Sequence, residues 1–186
     1  MSRHYFIMGK NTLCEVLKRE GTTRIMEVHT HHDKQHPFVQ KLLGEGVNVV
    51  FVSRAKMEQK LNSTSHGGFA ALMKEKAPLS LQAKLEELEA QEKALIVVLD
   101  GIVDPHNVGA ILRSCECFGV DLVIWSKNRG PSMTPTVSKV SVGGSELVPT
   151  CLVSNLHDAL LKCQDHHFSI LTAEKKAGSS TPQEIP

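Results

Sequence analysis

A two-part α/β fold is the architecture this sequence predicts, and three observations lead to it. From Ala94 onward, short apolar runs of strand length alternate with longer helical patterns, which implies a parallel, doubly wound sheet. Before Pro78, helical and strand-like runs are shorter and read as a small α/β sandwich. Between them, Ser80 to Lys93 is polar with Leu81, Leu85 and Leu88 at helical spacing on one face, so a helix is expected to bridge the two parts. The expected division is 1–78, 79–93 and 94–186.

In the first part, helices are predicted at Thr12 to Arg19 and Pro37 to Leu43, and strands at Ile25 to Thr30, Val47 to Val52 and Phe69 to Met73. Thr12 with Glu15 fits a capping box, and Gly44 stands where a helix would stop. In the second part, the run Ala94 to Leu99 is unbroken and apolar, the pattern of a parallel strand covered on both faces. After it come a helix near Pro105 to Phe118, a strand at Asp121 to Trp125, a helix through Val137 to Ser141 and a strand at Leu147 to Leu152. A helix at Leu156 to Gln164 and a strand at Phe168 to Leu171 complete the sequence of elements.

Composition argues for a folded protein in a reducing compartment. Hydrophobic residues make up 41% and charged residues 22% of the chain, which is ordinary globular usage and excludes disorder as the default. The five cysteines, Cys14, Cys115, Cys117, Cys151 and Cys163, are odd in number and lie within helical or strand patterns, so a disulfide framework is not expected. There is no long apolar segment and no signal-peptide pattern, so a cytoplasmic protein without membrane insertion is expected. The net charge of +1 conceals an asymmetry: residues 1–78 carry +5 and six of the ten histidines, while the remainder carries −4. A modest positive surface of that kind suits phosphate contact, although it is also an ordinary solvated face.

The stretch from Leu99 to Arg113 is the most informative. Asp104-Pro105 supplies an N-cap followed by proline at the first helical position. Polar residues therefore sit where a strand meets a helix, the place where ligand crevices form in open α/β sheets, which makes Asn107 and Arg113 site candidates. Asp104 and Pro105 can equally be plain helix punctuation, and Arg113, among Ile111, Leu112 and Cys115, can simply reach for water. Gly109 costs a helix about 1 kcal/mol relative to alanine, so it marks close approach by a neighbouring segment or ligand.

The motif Asp104-Pro105-His106-Asn107-Val108-Gly109 followed by Arg113 resembles the first motif of the SpoU, or TrmH-type, RNA ribose methyltransferases of the SPOUT superfamily. In the expected order, Lys139-Val140-Ser141-Val142-Gly143-Gly144-Ser145-Glu146-Leu147-Val148-Pro149 resembles the second motif, and Val153 to Leu156 resembles the family's next segment. The opening, from Tyr5-Phe6-Ile7-Met8-Gly9 through Ser65-His66-Gly67-Gly68-Phe69, is similar to a substrate-binding domain found in one branch of that family, which includes a bacterial large-subunit rRNA guanosine ribose methyltransferase. The family's third motif, a Gly-rich loop and a Ser-Leu-Asn segment, is expected after Phe168 to Leu171 and is not found before Pro186. The expectation is therefore a small RNA-binding α/β sandwich joined to an incomplete SPOUT α/β domain with a mostly parallel sheet, without the segment that ties the trefoil knot.

The resemblance implies S-adenosylmethionine-dependent 2′-O-methylation of RNA, with rRNA as the expected substrate. A ribose hydroxyl would attack the cofactor's methyl carbon in line, a reaction governed by alignment and exclusion of water. By resemblance, Arg113 lies beside the attacking hydroxyl with Asn107 and Glu146 as companions, and Thr172 and Ala173 belong to the cofactor pocket. Arginine is effectively always protonated, so Arg113 can instead hold phosphate or a developing alkoxide, leaving proton removal to Glu146, His106 or water. Glu146, embedded in an apolar segment, requires an arginine or amide partner if buried. His66, His106 and Lys139 are the candidates for RNA contact, and a homodimer is implied.

Two other readings stand beside this one. The chain could be a noncatalytic RNA-binding remnant that has lost its cofactor site. Alternatively His29, His31, His32 and His36, with Asp33, offer ligands for zinc or nickel, since strand alternation would send His29 and His31 to one face. Their spacing is not diagnostic, so a solvated turn or a phosphate contact is expected there and no metal.

Overall fold

The computed structural model describes residues 4–128, 130 and 133–174. The first 74 residues build a four-stranded sheet from β1 (His4–Met8), β2 (Ile25–Thr30), β3 (Val49–Phe51) and β4 (Phe69–Lys74), in the order β1-β4-β2-β3. β4 runs antiparallel to both of its neighbours, and β3 is parallel to β2. Alternation along the strands covers both faces. Ile7, Val28 and Ala71 meet Leu13 and Val16 of α1 (Lys10–Glu20) and Leu42 of α2 (Pro37–Gly44). Met8 and Ala70 on the other face meet Met57 and Leu61 of α3 (Arg54–Leu61).

Several elements differ from those the sequence predicts. β1 and α3 add to the expected elements: β1 has no clean alternation, and α3 offers only two buried apolar positions, four residues apart. The capping box at Thr12 does not form, because α1 begins earlier, with Gly9 as its N-cap. Thr12 lies inside the helix, and its hydroxyl donates to the carbonyl of Ser138 at 3.2 Å. Gly44 ends α2 as expected.

In the second part, α4 (Leu81–Glu89), capped by Ser80, precedes β5 (Ile96–Leu99), α5 (Pro105–Cys117) and β6 (Leu122–Ser126). These are followed by α6 (Pro135–Val140), α7 (Gly144–Leu147), β7 (Thr150–Val153) and α8 (Leu156–Asp165). The three strands are parallel in the order β5-β6-β7, and all of β6 is buried. Val123 and Trp125 face Val108, Leu112 and Val137 of α5 and α6. Leu122 and Ile124 face Leu85 and Leu88 of α4 and Ala159 of α8. The sheet is thus covered by helices on both faces, and the leucines of the expected bridging helix serve this core.

Three strand assignments change. β5 is two residues shorter than expected and lies at the sheet's edge; its residues are half-buried except Leu99, and Leu95 is 51% exposed. Leu147 closes α7 and does not open a strand, because the chain bends at Val142 and Gly143, both at positive φ, and makes a second helical turn. Phe168 to Leu171 is not a strand: it pairs with no described strand, and Leu171 is 71% exposed.

The two parts meet where β1 packs against α6 and α1 against α7. Among the described residues, each buried apolar cluster lies wholly on one side of this seam: two fall within residues 5–73 and two within residues 81–168. Polar links cross it. Besides Thr12 to Ser138, Arg19 pairs with Glu116 at 3.0 Å.

Candidate active site

The first motif is built as the sequence predicts. Asp104 accepts a 2.9 Å hydrogen bond from the backbone N–H of His106, and Pro105 occupies the first turn, so α5 starts directly beyond the carboxyl end of β5. Val108, Gly109, Leu112 and Cys115 form its buried side. His106, Asn107 and Arg113 are exposed, and the side chains of Asn107 and Arg113 have no hydrogen-bond partner among the described residues. His106 and Arg113, seven residues apart, lie along one line of the helix, while Asn107 is turned about a third of the way round from Arg113.

The second motif is held against the first by two glycines. A methyl at Gly109 would come within 2.6 Å of Val140 Cβ, and one at Gly144 within 2.7 Å of the Leu112 carbonyl oxygen and 3.2 Å of the Arg113 nitrogen. Absent side chains thus let α6 and α7 touch the α5 backbone beside Arg113. Between them, Ser141 donates to the Ser138 carbonyl and accepts from the Ser145 N–H, fixing the turn.

Glu146 is 1% exposed, and its predicted partner exists but comes from the first part of the chain. Its carboxylate accepts hydrogen bonds from Tyr5 Oη at 2.6 Å and Arg24 Nη2 at 3.0 Å. Lys76 donates to its backbone carbonyl. Glu20 completes the group, pairing with Arg24 at 2.9 Å and with Lys76 at 2.6 Å. Burial and the adjacent Glu146 charge push the Tyr5 phenol far above its ordinary pKa. For Arg24, burial works against the charge, but Tyr5, Glu146 and Glu20 outweigh it and raise the pKa. No hydrogen bond or ion pair among the described residues joins Glu146 to Asn107 or Arg113.

A crevice of about 430 Å³ opens at the carboxyl ends of the parallel strands, lined by Asp100, Ser126, Asn128, Ser154, Asn155 and His157 among others. Its size is that of a small-molecule site, about 300–1,000 Å³. A carboxylate, hydroxyls and amides at this position suit a nucleoside with a charged amino-acid tail. Asp100, Ser126 and Asn128 are not among the residues singled out in the sequence, although each follows or ends a strand at its carboxyl end, where the general rule for α/β sheets points. Thr172 and Ala173 are exposed in the segment after α8 and do not line this crevice.

The histidines form a cluster of stacked rings, not a ligand set. His29 is buried in β2 and bonded to Glu27 at 2.6 Å, whereas His31 lies beyond the strand end, exposed, and stacks on His32. The expectation of a shared face fails because β2 stops at Thr30. His32 in turn lies against His36 and Phe69, and His31 meets His66 edge-on. Among the described residues no three His, Cys, Asp or Glu side chains are grouped to hold a metal ion. His66 is 1% exposed; its Nδ1 accepts from the Gly68 N–H, and its Nε2 has no partner among the described residues. Burial, then the neighbouring His31, lowers its pKa, with Lys139 from α6 contributing across the seam. The structure thus draws His66 and Lys139 into one electrostatic neighbourhood, while His106 stays at the start of α5.

Residues 94–186 match the model of the SpoU rRNA Methylase family, and residues 6–79 match that of the RNA 2'-O ribose methyltransferase substrate-binding domain. The chain is 34% identical over 164 residues to the 23S rRNA (guanosine-2'-O-)-methyltransferase RlmB of Vibrio cholerae, covering 86% of this chain and 66% of that protein. With the protein of the same name from Coxiella burnetii it is 35% identical over 161 residues, covering 84% and 64%. It thus spans about two thirds of the length of these curated relatives. The rRNA methyltransferase from Sinorhizobium meliloti superposes with a TM-score of 0.72 at 19% identity, over 100% of this chain and 67% of that one. AviRb from Streptomyces viridochromogenes, solved with AdoMet, superposes at 0.67 and 14% identity, over 88% and 59%. The fold is that of the SpoU methyltransferases. The chain belongs to the SpoU rRNA methylase family, and its first part is the substrate-binding domain that accompanies it.

Proposed function

We propose that this protein is an S-adenosylmethionine-dependent ribose 2′-O-methyltransferase acting on large-subunit rRNA. The observation that carries the proposal is the seating of α7 on the α5 backbone at Leu112 and Arg113 through Gly144, which brings the two family motifs together beside an exposed arginine with no partner among the described residues. The names of the relatives above point to the same reaction and to guanosine ribose as its target.

Each residue has a part in this reading. Asp100, Ser126 and Asn128 hold the cofactor in the crevice, a role that Thr172 and Ala173, outside its lining, do not share. The bound cofactor supplies an electrophilic methyl group on a sulfonium centre. Arg113, fully protonated, holds the substrate phosphate or the developing ribose oxyanion, with His106 on the same line of α5 and Asn107 alongside. Glu146 is the carboxylate of the site. Lys139 contacts RNA at the seam, whereas His66, 1% exposed, is buried away from it. The division into an RNA-binding part at 1–78, a connecting helix within 79–93 and a methyltransferase part from 94 onward belongs to the same reading.

A cytoplasmic homodimer is also part of the proposal. All five cysteines are free thiols, and no helix among the described residues is long and apolar enough to cross a membrane. An apolar groove of about 400 Å³ runs along α5 between Leu95, Ile111 and Phe118, on the helix that carries Arg113, and a second copy would cover it.

Gene disruption tests the function. Mapping ribose methylation in large-subunit rRNA from the disrupted strain is expected to show one methyl group missing, restored by the wild-type gene and not by Arg113→Ala. An unchanged methylation pattern overturns the proposal.

A further inference from the structure

We propose that Tyr5 and Arg24 form a clasp on Glu146 that RNA phosphate opens, so that capture of RNA by the substrate-binding domain and release of Glu146 are a single event. The inference rests on the functional reading for the role of Glu146 and of RNA, and on the seam for everything else.

Glu146 belongs to the second motif, yet both side chains that hold its carboxylate come from the other domain, 141 and 122 residues away in the chain. A carboxylate that is 1% exposed depends on those partners, because an unpaired buried charge is strongly disfavoured. The docked position of the substrate-binding domain and the state of Glu146 are therefore coupled, and the coupling is reciprocal.

No buried apolar cluster of the described residues spans the docking. At the seam β1 lies on α6, and the polar links among the described residues are Thr12 to Ser138, Arg19 to Glu116 and the group around Glu146. Interfaces without a shared apolar cluster permit relative motion of domains.

The group itself is suited to exchange with a phosphate. Two carboxylates, Glu20 and Glu146, balance two cations, Arg24 and Lys76. The side chain of Lys76 is 44% exposed, in the exposed segment between β4 and α4, so an RNA backbone can reach it from solvent. A phosphate then offers the Arg24 fork the same two-oxygen face that the carboxylates offer, with more charge. Once Arg24 is drawn away, Glu146 needs another cation. Arg113 lies on the helix that Gly144 touches and has no partner among the described residues. The closed clasp thus keeps Glu146 from the site until RNA is engaged.

Tyr5 is the chain's only tyrosine, so it can be replaced throughout by 3-fluorotyrosine to give a single fluorine resonance inside the clasp. In the whole chain, Glu146→Gln and Arg24→Met are expected to move that resonance toward its position in the urea-unfolded protein, with the far-ultraviolet circular dichroism unchanged. Arg24→Lys should move it less, and Arg19→Met, at the seam but outside the clasp, not at all. Titrating wild type with polyuridylate should move it the same way, whereas uridine should not. An unmoved resonance in folded Glu146→Gln and Arg24→Met overturns the clasp. A resonance that ignores polyuridylate bound in a filter assay overturns its opening by RNA. Failure of polyuridylate to bind at all counts against the functional reading as well, while the variants still decide whether the clasp exists.

Discussion

Gly109 and Val140 are in such close apposition that a single methyl group on Gly109 would lie 2.6 Å from Val140 Cβ. That contact sets the distance between the helices that carry the two family motifs. The Gly109→Ala variant gains helix propensity but must push α6 away, and overpacking of this kind costs about 1–3 kcal/mol. We expect net destabilisation in urea unfolding, with partial recovery in the Gly109→Ala, Val140→Ala double variant. Equal stability of Gly109→Ala and wild type would show that the helices separate freely.

Arg113 is exposed and makes no hydrogen bond among the described residues, so Arg113→Ala should unfold within about 0.5 kcal/mol of wild type. Methyl transfer should nonetheless be abolished, with S-adenosylmethionine affinity by calorimetry nearly unchanged. Full activity would remove Arg113 from the mechanism.

Because Tyr5 is the sole tyrosine, tyrosinate absorbance reads one group. In the folded protein burial and Glu146 raise its pKa, so the native state keeps the proton that the unfolded chain gives up. The resulting stability is complete below the ordinary tyrosine pKa of about 10 and is lost as pH rises above it. Native protein should show no tyrosinate until well above that pH, the urea-unfolded chain should titrate near it, and Tyr5→Phe should lessen the alkaline loss of stability.

His32 and His66 show the opposite sign. Burial first, and then neighbouring histidines, lower both pKa values, so the unfolded state takes up protons that the native state refuses. Stability from these groups is present above about pH 6.5 and is lost as pH falls through and below that value. His66→Asn retains an acceptor for the Gly68 N–H, and it should flatten the acid limb of a melting-temperature profile.

How much of the structure is legible in the sequence depends on how local each signal is. Asp104-Pro105 caps α5 through contacts within two residues, and the expected boundary of that helix holds to within one residue. Gly109 reads as a close-approach site because a glycine inside a helix has a cost that something must explain. The need for a partner at Glu146 is also legible, since a carboxylate in an apolar segment demands one. Its identity is not, because Tyr5 and Arg24 lie in a different domain and nothing near Glu146 names them. Phe168 to Leu171 misleads for the converse reason: its apolar pattern is a strand's, but strand formation requires a neighbour, and none of the described strands pairs with it. The crevice residues Asp100, Ser126 and Asn128 are hidden by their ordinariness as loop residues, and only the sheet order brings them to one place.

The separation of the apolar clusters also orders events in time. Every strand of the first sheet lies between His4 and Lys74, so that domain can fold as soon as its last strand leaves the ribosome. The parallel sheet must wait for β7, whose strands are joined only through intervening helices, and topologies of this kind assemble more slowly. When Glu146 emerges, Tyr5 and Arg24 are already fixed on a finished surface. The earlier domain can thus act as an internal template on which the second motif settles while its own sheet is still incomplete.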